Sequence, residues 1–140
     1  MTKFEVQTGQ IAHSFNGVEV SYNPTAPDFT EKLFKAFELL DGFSNEYQAK
    51  IKNAEGKEVF EIARELDRKA REIIDGVFDD APDFCTSVFG SVNLFAFSGG
   101  LPLWANLLLM VVDEVTEAFE HEKKAMNPKI QKYTEKFRKH

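Results

Sequence analysis

Residues 84–112 read FCTSVFGSVNLFAFSGGLPLWANLLLMVV and carry no charged side chain between Asp83 and Asp113. No other segment of the chain is as apolar, so the remaining residues must either cover this stretch or deliver it to a partner. The break at 98–102 (SGGLP) leaves only 103–112 uninterrupted, whereas a bilayer span takes about 20 apolar residues. We therefore expect a tight loop followed by a buried core helix, and no membrane span.

The apolar spacing continues past Asp113 and predicts a long last helix over 101–123, which Asn127-Pro128 should end. Before the charge-free stretch, apolar residues at spacings of three and four predict a helix over 57–78. A short helix should then run to Phe89, with Asp83 as its N-cap. The inward face of the last helix is predicted to consist of Trp104, Leu108, Val111, Val115 and Phe119.

Residues 28–53 also have helical periodicity. Asp28 followed by Glu31 has the capping-box spacing and predicts the helix start. Asp41-Gly42 leaves two alternatives open: one helix that bends there, or two successive helices.

The N-terminal part has strand character. Phe4 and Val6 alternate with polar residues, and Ile11–Phe15 is followed by Asn16-Gly17 and Val18–Tyr22. Asn-Gly favours the type I′ turn of a β-hairpin, because both residues tolerate positive φ. We predict a mostly α (α+β) fold with an N-terminal β-hairpin packed on a small helical bundle. The 140 residues form one domain: hairpin 1–22, helical body 28–123 and basic tail 124–140.

Charge is distributed unevenly along the chain. The formal net charge is −6, yet residues 123–140 carry seven Lys or Arg against one Glu, a balance of +6, so residues 1–122 balance at −12. An acidic body argues against nucleic acid as a partner, since binding to phosphates depends on basic side chains. A single cysteine, Cys85, and the lack of an N-terminal apolar run predict a reducing, cytoplasmic setting.

No motif specifies a chemical reaction. The acidic groups Asp75, Asp79, Asp80 and Asp83 are interpreted as a solvated turn, and the row Asp113, Glu117, His121 as a solvated helix face. We therefore predict a non-enzymatic protein with no cofactor and no metal.

The segments Ile74-Asp75-Gly76-Val77-Phe78, Phe89-Gly90 and Val92-Asn93-Leu94, placed before a hydrophobic helix, resemble those of the tail assembly chaperones of long-tailed phages and prophages. The basic end, 129–140, is similar to their C-terminal tails. This resemblance implies a chaperone of the host-cell cytoplasm that shields a helical partner, the tape measure protein or a tail subunit, until the tail polymerises. The alternative is a small self-associating structural or regulatory phage protein.

Partner-binding residues are predicted in two places. The charge-free stretch supplies Phe89, Phe95, Phe97 and Trp104, and the basic tail supplies Tyr133 and Phe137. Two roles stay open for the tail, which either lies on an acidic body of its own or a neighbouring subunit, or docks an acidic partner helix. With either partner, tail protein or self, we expect a homo-oligomer.

Overall fold

Helices make up most of this computed structural model, which describes the backbone of residues 1–138 and the side chains of residues 1–125. The elements follow in the order β1 (Ile11–Phe15), β2 (Val18–Tyr22), α1 (Pro27–Ile51), α2 (Lys57–Val77), α3 (Phe84–Phe89), β3 (Phe97–Ser98), β4 (Leu101–Pro102) and α4 (Leu103–Arg138). The prediction of a mostly α (α+β) fold with an N-terminal hairpin packed on helices is confirmed.

The hairpin forms as its turn predicts. Asn16 and Gly17 have φ angles of 50° and 87°, the pair of positive values that a type I′ turn needs, and Phe15 pairs with Val18. Val20 and Tyr22 are buried. The Tyr22 ring stacks on Phe29 of α1, with 4.1 Å between ring centroids, which fixes the hairpin against the helices.

Residues 1–10 contain no regular secondary structure, so the strand expected at Phe4 and Val6 is wrong for this chain on its own. Apolar and polar residues do alternate in this segment, as they would in a half-buried strand. A strand also needs a hydrogen-bonded neighbour, and within the described residues this segment has none.

The first helix is a single helix that passes through Gly42. It starts at Pro27, whose fixed φ suits the first helical position and whose missing N–H needs no partner there. Asp28 therefore lies inside the first turn, and it makes no capping hydrogen bond with any described residue, so the capping-box prediction is wrong. The buried face of α1 comprises Phe29, Leu33, Ala36 and Leu40.

The second and third helices end close to their predicted bounds, but the cap between them differs. Asp83 precedes α3 in a left-handed conformation with φ 54°, and it forms no capping bond to the described part of the chain. The Cys85 backbone N–H instead donates to Asp75 Oδ1 at 2.9 Å. A side chain of α2 therefore supplies the cap that the sequence assigned to Asp83.

The last helix differs from its prediction at both ends. It begins at Leu103, because residues 101–102 belong to β4, and it continues through Pro128 to Arg138. The stop expected at Asn127-Pro128 is wrong: a proline removes one backbone hydrogen bond and strains a helix, but flanking helix-forming residues can carry the helix across it. Val115 is the last buried residue in the described part, so Phe119 is exposed, contrary to expectation. Within the part of the chain that the structure describes, no helix has an apolar run sufficient to cross a bilayer.

Candidate protein-binding surface

A short β-hairpin, β3–β4, has two residues in each strand and lies directly before α4. Gly99 and Gly100 turn the chain with φ angles of 62° and 84°, values that side chains with a Cβ rarely adopt. The Leu103 N–H donates to Ala96 O at 2.8 Å, and the Asn106 amide donates to Ser98 O at 2.9 Å. These bonds fix the small hairpin to the helix that follows it.

The segment before the small hairpin is held by α2. The Leu94 N–H donates to Asp67 Oδ1 at 2.8 Å, and Arg71 Nε donates to Asp67 Oδ2 at 3.0 Å. Arg71 Nη2 also donates to Val92 O at 2.7 Å, and the Asn93 amide donates to Ala63 O at 3.0 Å. We term these contacts the Asp67 clamp, because one carboxylate connects the segment backbone to α2.

An apolar groove of about 460 Å³ lies between α1 and the β3–β4 hairpin. We term it the Trp104 groove; its apolar lining includes Phe37, Tyr47, Phe95, Phe97, Leu101 and Trp104. Trp104 and Phe95 are buried at its floor. The Trp104 indole N–H donates to Ser44 Oγ at 2.9 Å, so its one polar atom is satisfied. Among the described residues that line the groove, Asp41 alone is charged.

The rim of the Trp104 groove exposes apolar side chains. Phe97 is 66% exposed, and Leu101, on the paired strand, is also exposed. A single exposed apolar residue is ordinary, but these two continue the lining of an apolar concave surface. Aromatic residues beside a dry pocket are typical of the contacts that dominate protein–protein binding. The geometry therefore suits an apolar side chain presented by another protein.

A second groove, of about 430 Å³, lies between the N-terminal hairpin and a different face of α4. We term it the hairpin groove; its lining includes His13, Phe15, Phe89, Leu107, Met110 and Glu114. The Tyr22 O–H donates to Glu114 Oε1 at 2.7 Å, and His13 Nε2 bonds to Glu114 Oε2. Within residues 1–125, His13 Nδ1 is buried with no hydrogen-bond partner.

Tyr22, His13 and Glu114 form a hydrogen-bonded group, which we term the Glu114 cluster. Burial raises the pKa of the Tyr22 phenol, and the hydrogen bond to Glu114 and the Glu114 charge raise it further. Tyr22 therefore stays a protonated donor, and the carboxylate that accepts from it also bonds His13. The cluster joins both strands of the hairpin to α4.

The predicted partner-binding residues do not form one surface. Phe97 lies exposed on the rim of the Trp104 groove, whereas Phe95 and Trp104 form its buried floor and offer a partner little surface in this conformation. Phe89 is half-buried and lines the hairpin groove instead. Tyr133 and Phe137 lie outside the residues whose side chains are described.

Sequence reasoning missed the contribution of α1 to the Trp104 groove. Phe37 and Tyr47 belong to the apolar stripe of that helix, and nothing in their spacing shows which residues face them. The pairing of His13 with Glu114 was missed as well. These two residues are 101 positions apart, and no local signal connects them.

The acidic turn has partners of its own. Besides the bond from Cys85 to Asp75, Lys32 Nζ lies 3.1 Å from Asp79 Oδ2, and the Ser21 N–H donates to Asp80 Oδ2 at 3.0 Å. Asp80 therefore connects the hairpin to the turn after α2, whereas the exposed Lys32–Asp79 pair contributes little to stability. Over the described residues, no three His, Cys, Asp or Glu side chains lie close enough to hold a metal ion.

The thiol of Cys85 is fully buried beneath α2. Burial, together with the nearby Asp75 carboxylate, raises its pKa well above the ordinary value. A thiol that stays protonated is a poor nucleophile, so this cysteine acts as a core residue.

Comparison with known proteins finds no match: no protein-family model fits the chain, and no curated protein or solved structure is significantly similar to it. The resemblance to tail assembly chaperones stays a prediction.

Proposed function

We propose that this protein is a non-enzymatic, tail assembly chaperone-like factor of a long-tailed phage or prophage, acting in the host-cell cytoplasm. Its partner is an apolar helical segment, such as one of the tape measure protein. The resemblance in sequence supplies the identity of that partner. The observation that carries a binding role is the exposed Phe97 side chain beside the apolar Trp104 groove.

The Trp104 groove fits a helix that inserts apolar side chains. Helices recognised in grooves present anchors at spacings of three and four residues, and the mostly apolar lining suits such side chains. Two fixed elements, α1 and the β3–β4 hairpin, form its walls. Binding would therefore require little ordering of the groove itself, which favours affinity.

The rival proposal, a small self-associating structural or regulatory protein, is favoured by a different surface. Residues 1–10 expose apolar side chains and have no strand partner within the described chain. The two proposals therefore concern different parts of the molecule, and each can be tested separately.

Co-expression with the tape measure protein of the proposed phage or prophage tests the chaperone proposal. We expect a stable complex by size-exclusion chromatography with light scattering. Phe97→Asp should weaken the complex at least tenfold, because burying the new carboxylate in an apolar groove is unfavourable.

The matched control is Phe60→Asp. Phe60 is 65% exposed, close to the 66% of Phe97, but it lies on α2 and outside the lining of the Trp104 groove. It should leave the affinity within twofold of wild type, and neither variant should change the melting temperature much. Equal effects of the two variants would contradict the groove, and no complex with either the wild type or its variants would refute the chaperone function.

A further inference from the structure

The N-terminal arm, residues 2–8, has the pattern of a β-strand without the structure of one. Phe4 and Val6 are 85% and 81% exposed, and they alternate with Lys3, Glu5 and Gln7. In a strand, the two apolar side chains would share one face and the three polar ones the other. Such a segment lacks only a neighbouring strand.

The base of the arm is fixed to the body. The Asn23 amide donates to Thr8 O at 2.8 Å, and the Gln10 N–H bonds Thr8 Oγ1 at 3.3 Å. Gly9 next to it has φ 72°, and a Cβ at this position would overlap the Asn23 side chain. The anchor holds residues 8–10 in a defined path, while the residues before them remain uncovered.

An open sheet edge is available on β1. In a hairpin with a two-residue turn, Phe15, His13 and Ile11 bond to β2, so Ala12 and Ser14 direct their N–H and C=O groups outward. Both are exposed, and their outward groups bond to no other described residue. The opposite edge, on β2, is already covered where the Ser21 N–H donates to Asp80.

The open edge lies beside the hairpin groove. His13 and Phe15, whose side chains share one face of β1, line that groove together with Leu107 and Met110 of α4. A strand added next to β1 places every second side chain beside His13 and Phe15. Apolar residues at every second position of that strand would therefore cover the groove. The polar residues between them would lie on the same face of the sheet as the exposed Ser14.

We propose that the N-terminal arm of one copy adds as a third strand to the β1 edge of a second copy, with Phe4 and Val6 in the hairpin groove. Main-chain hydrogen bonds to Ala12 and Ser14 would supply the pairing, and the apolar groove would select the register. The interface uses a different face of α4 from the Trp104 groove, so it is independent of the proposed chaperone function.

Sedimentation velocity over a concentration series tests the arm. Phe4→Ser/Val6→Ser, in the full chain, should weaken self-association at least tenfold. The matched control, Lys3→Ser/Gln7→Ser, alters the other face of the same arm and should stay within twofold of wild type. All four side chains lie outside the core, so neither variant should affect folding. Wild-type protein that stays monomeric, or equal effects of the two variants, would overturn the proposal.

The edge is tested by Ser14→Pro, with Ser14→Ala as its control. Proline removes the outward N–H of Ser14 and leaves the bonds between β1 and β2 in place. We expect Ser14→Pro to abolish self-association and Ser14→Ala to retain it.

Mixing the two defective chains then separates donor from acceptor. Phe4→Ser/Val6→Ser keeps an intact edge, and Ser14→Pro keeps an intact arm, so the mixture should form a one-to-one dimer that neither chain forms alone. A mixture that remains monomeric, while circular dichroism shows both chains folded, would refute arm exchange.

Discussion

Replacing Asp67 with alanine would release residues 92–94, the segment that leads into the β3–β4 wall of the Trp104 groove. The change removes the acceptor for the Leu94 N–H and for Arg71 Nε. The side chains of Asp67 and Arg71 are only 19% and 17% exposed, so water replaces these bonds incompletely. Hydrogen bonds to charged groups contribute about 1.5–3 kcal/mol to stability, and partial exposure places the expected loss for the pair at about 2 kcal/mol.

Urea unfolding followed by circular dichroism measures this loss, which for a chain of this size corresponds to roughly 8 °C in melting temperature. The emission of Trp104, the only tryptophan, gives a second readout. Its backbone N–H donates to Leu94 O at 3.2 Å, so loosening Leu94 should shift the native emission towards longer wavelength.

Two further variants test whether the expected loss of stability comes from the hydrogen bonds of the Asp67 carboxylate. Asp67→Asn keeps an oxygen for the Leu94 N–H but loses the charge that faces Arg71, so it should lose about 1 kcal/mol. Glu65→Ala, also on α2, breaks only a solvent-exposed pair with Arg68 and should leave the urea midpoint unchanged. If Asp67→Ala shifts the midpoint no further than Glu65→Ala, the Asp67 clamp does not stabilise the fold.

Asp75→Ala should lower the free energy of unfolding by about 1–2 kcal/mol in urea, because it leaves the Cys85 N–H unpaired. The pKa values of Cys85 and Tyr22 are raised above their ordinary 9.0 and 10.0, so the unfolded chain releases these protons first. Stability should therefore be retained below about pH 9 and fall as the pH rises further, and equal urea midpoints at about pH 8 and about pH 10.5 would contradict this. Removing residues 127–140 should preserve cooperative unfolding, since burial in the described part ends at Val115.

Local chemistry made the elements predictable. Asn16-Gly17 specifies its turn with two residues, and the periodicity of α2 covers almost the whole helix, so neither depends on distant contacts. The errors at Phe4 and Val6 and at the Asp83 cap arose because those features depend on partners elsewhere in the fold. Two other errors arose where two local signals compete. Pro27 determines the start of α1 although Asp28 has the capping spacing, and helix-forming neighbours carry α4 across Pro128.

The candidate binding surface was predictable only in part. The excess of apolar residues in 84–112 indicated where a partner could bind, and Phe97 is exposed there. Which aromatic residues form the floor depends on pairings such as Trp104 with Ser44, 60 positions apart. Since such contacts are fixed by the packing of whole helices, single-residue signals do not reveal them.

The Asp67 clamp has a consequence for the order of folding. Groups of α2 bind Val92, Asn93 and Leu94 and accept the hydrogen bond from the Cys85 N–H, so this region cannot acquire its native geometry before α2 exists. Helices α1 and α2 are joined by residues 52–56 alone, and such local contacts form quickly. We therefore expect Cys85 and residues 92–94 to become ordered after the α1–α2 pair. In the native state, the amides of Cys85 and Leu94 should exchange with deuterium together, through an opening that leaves the α1–α2 pair intact.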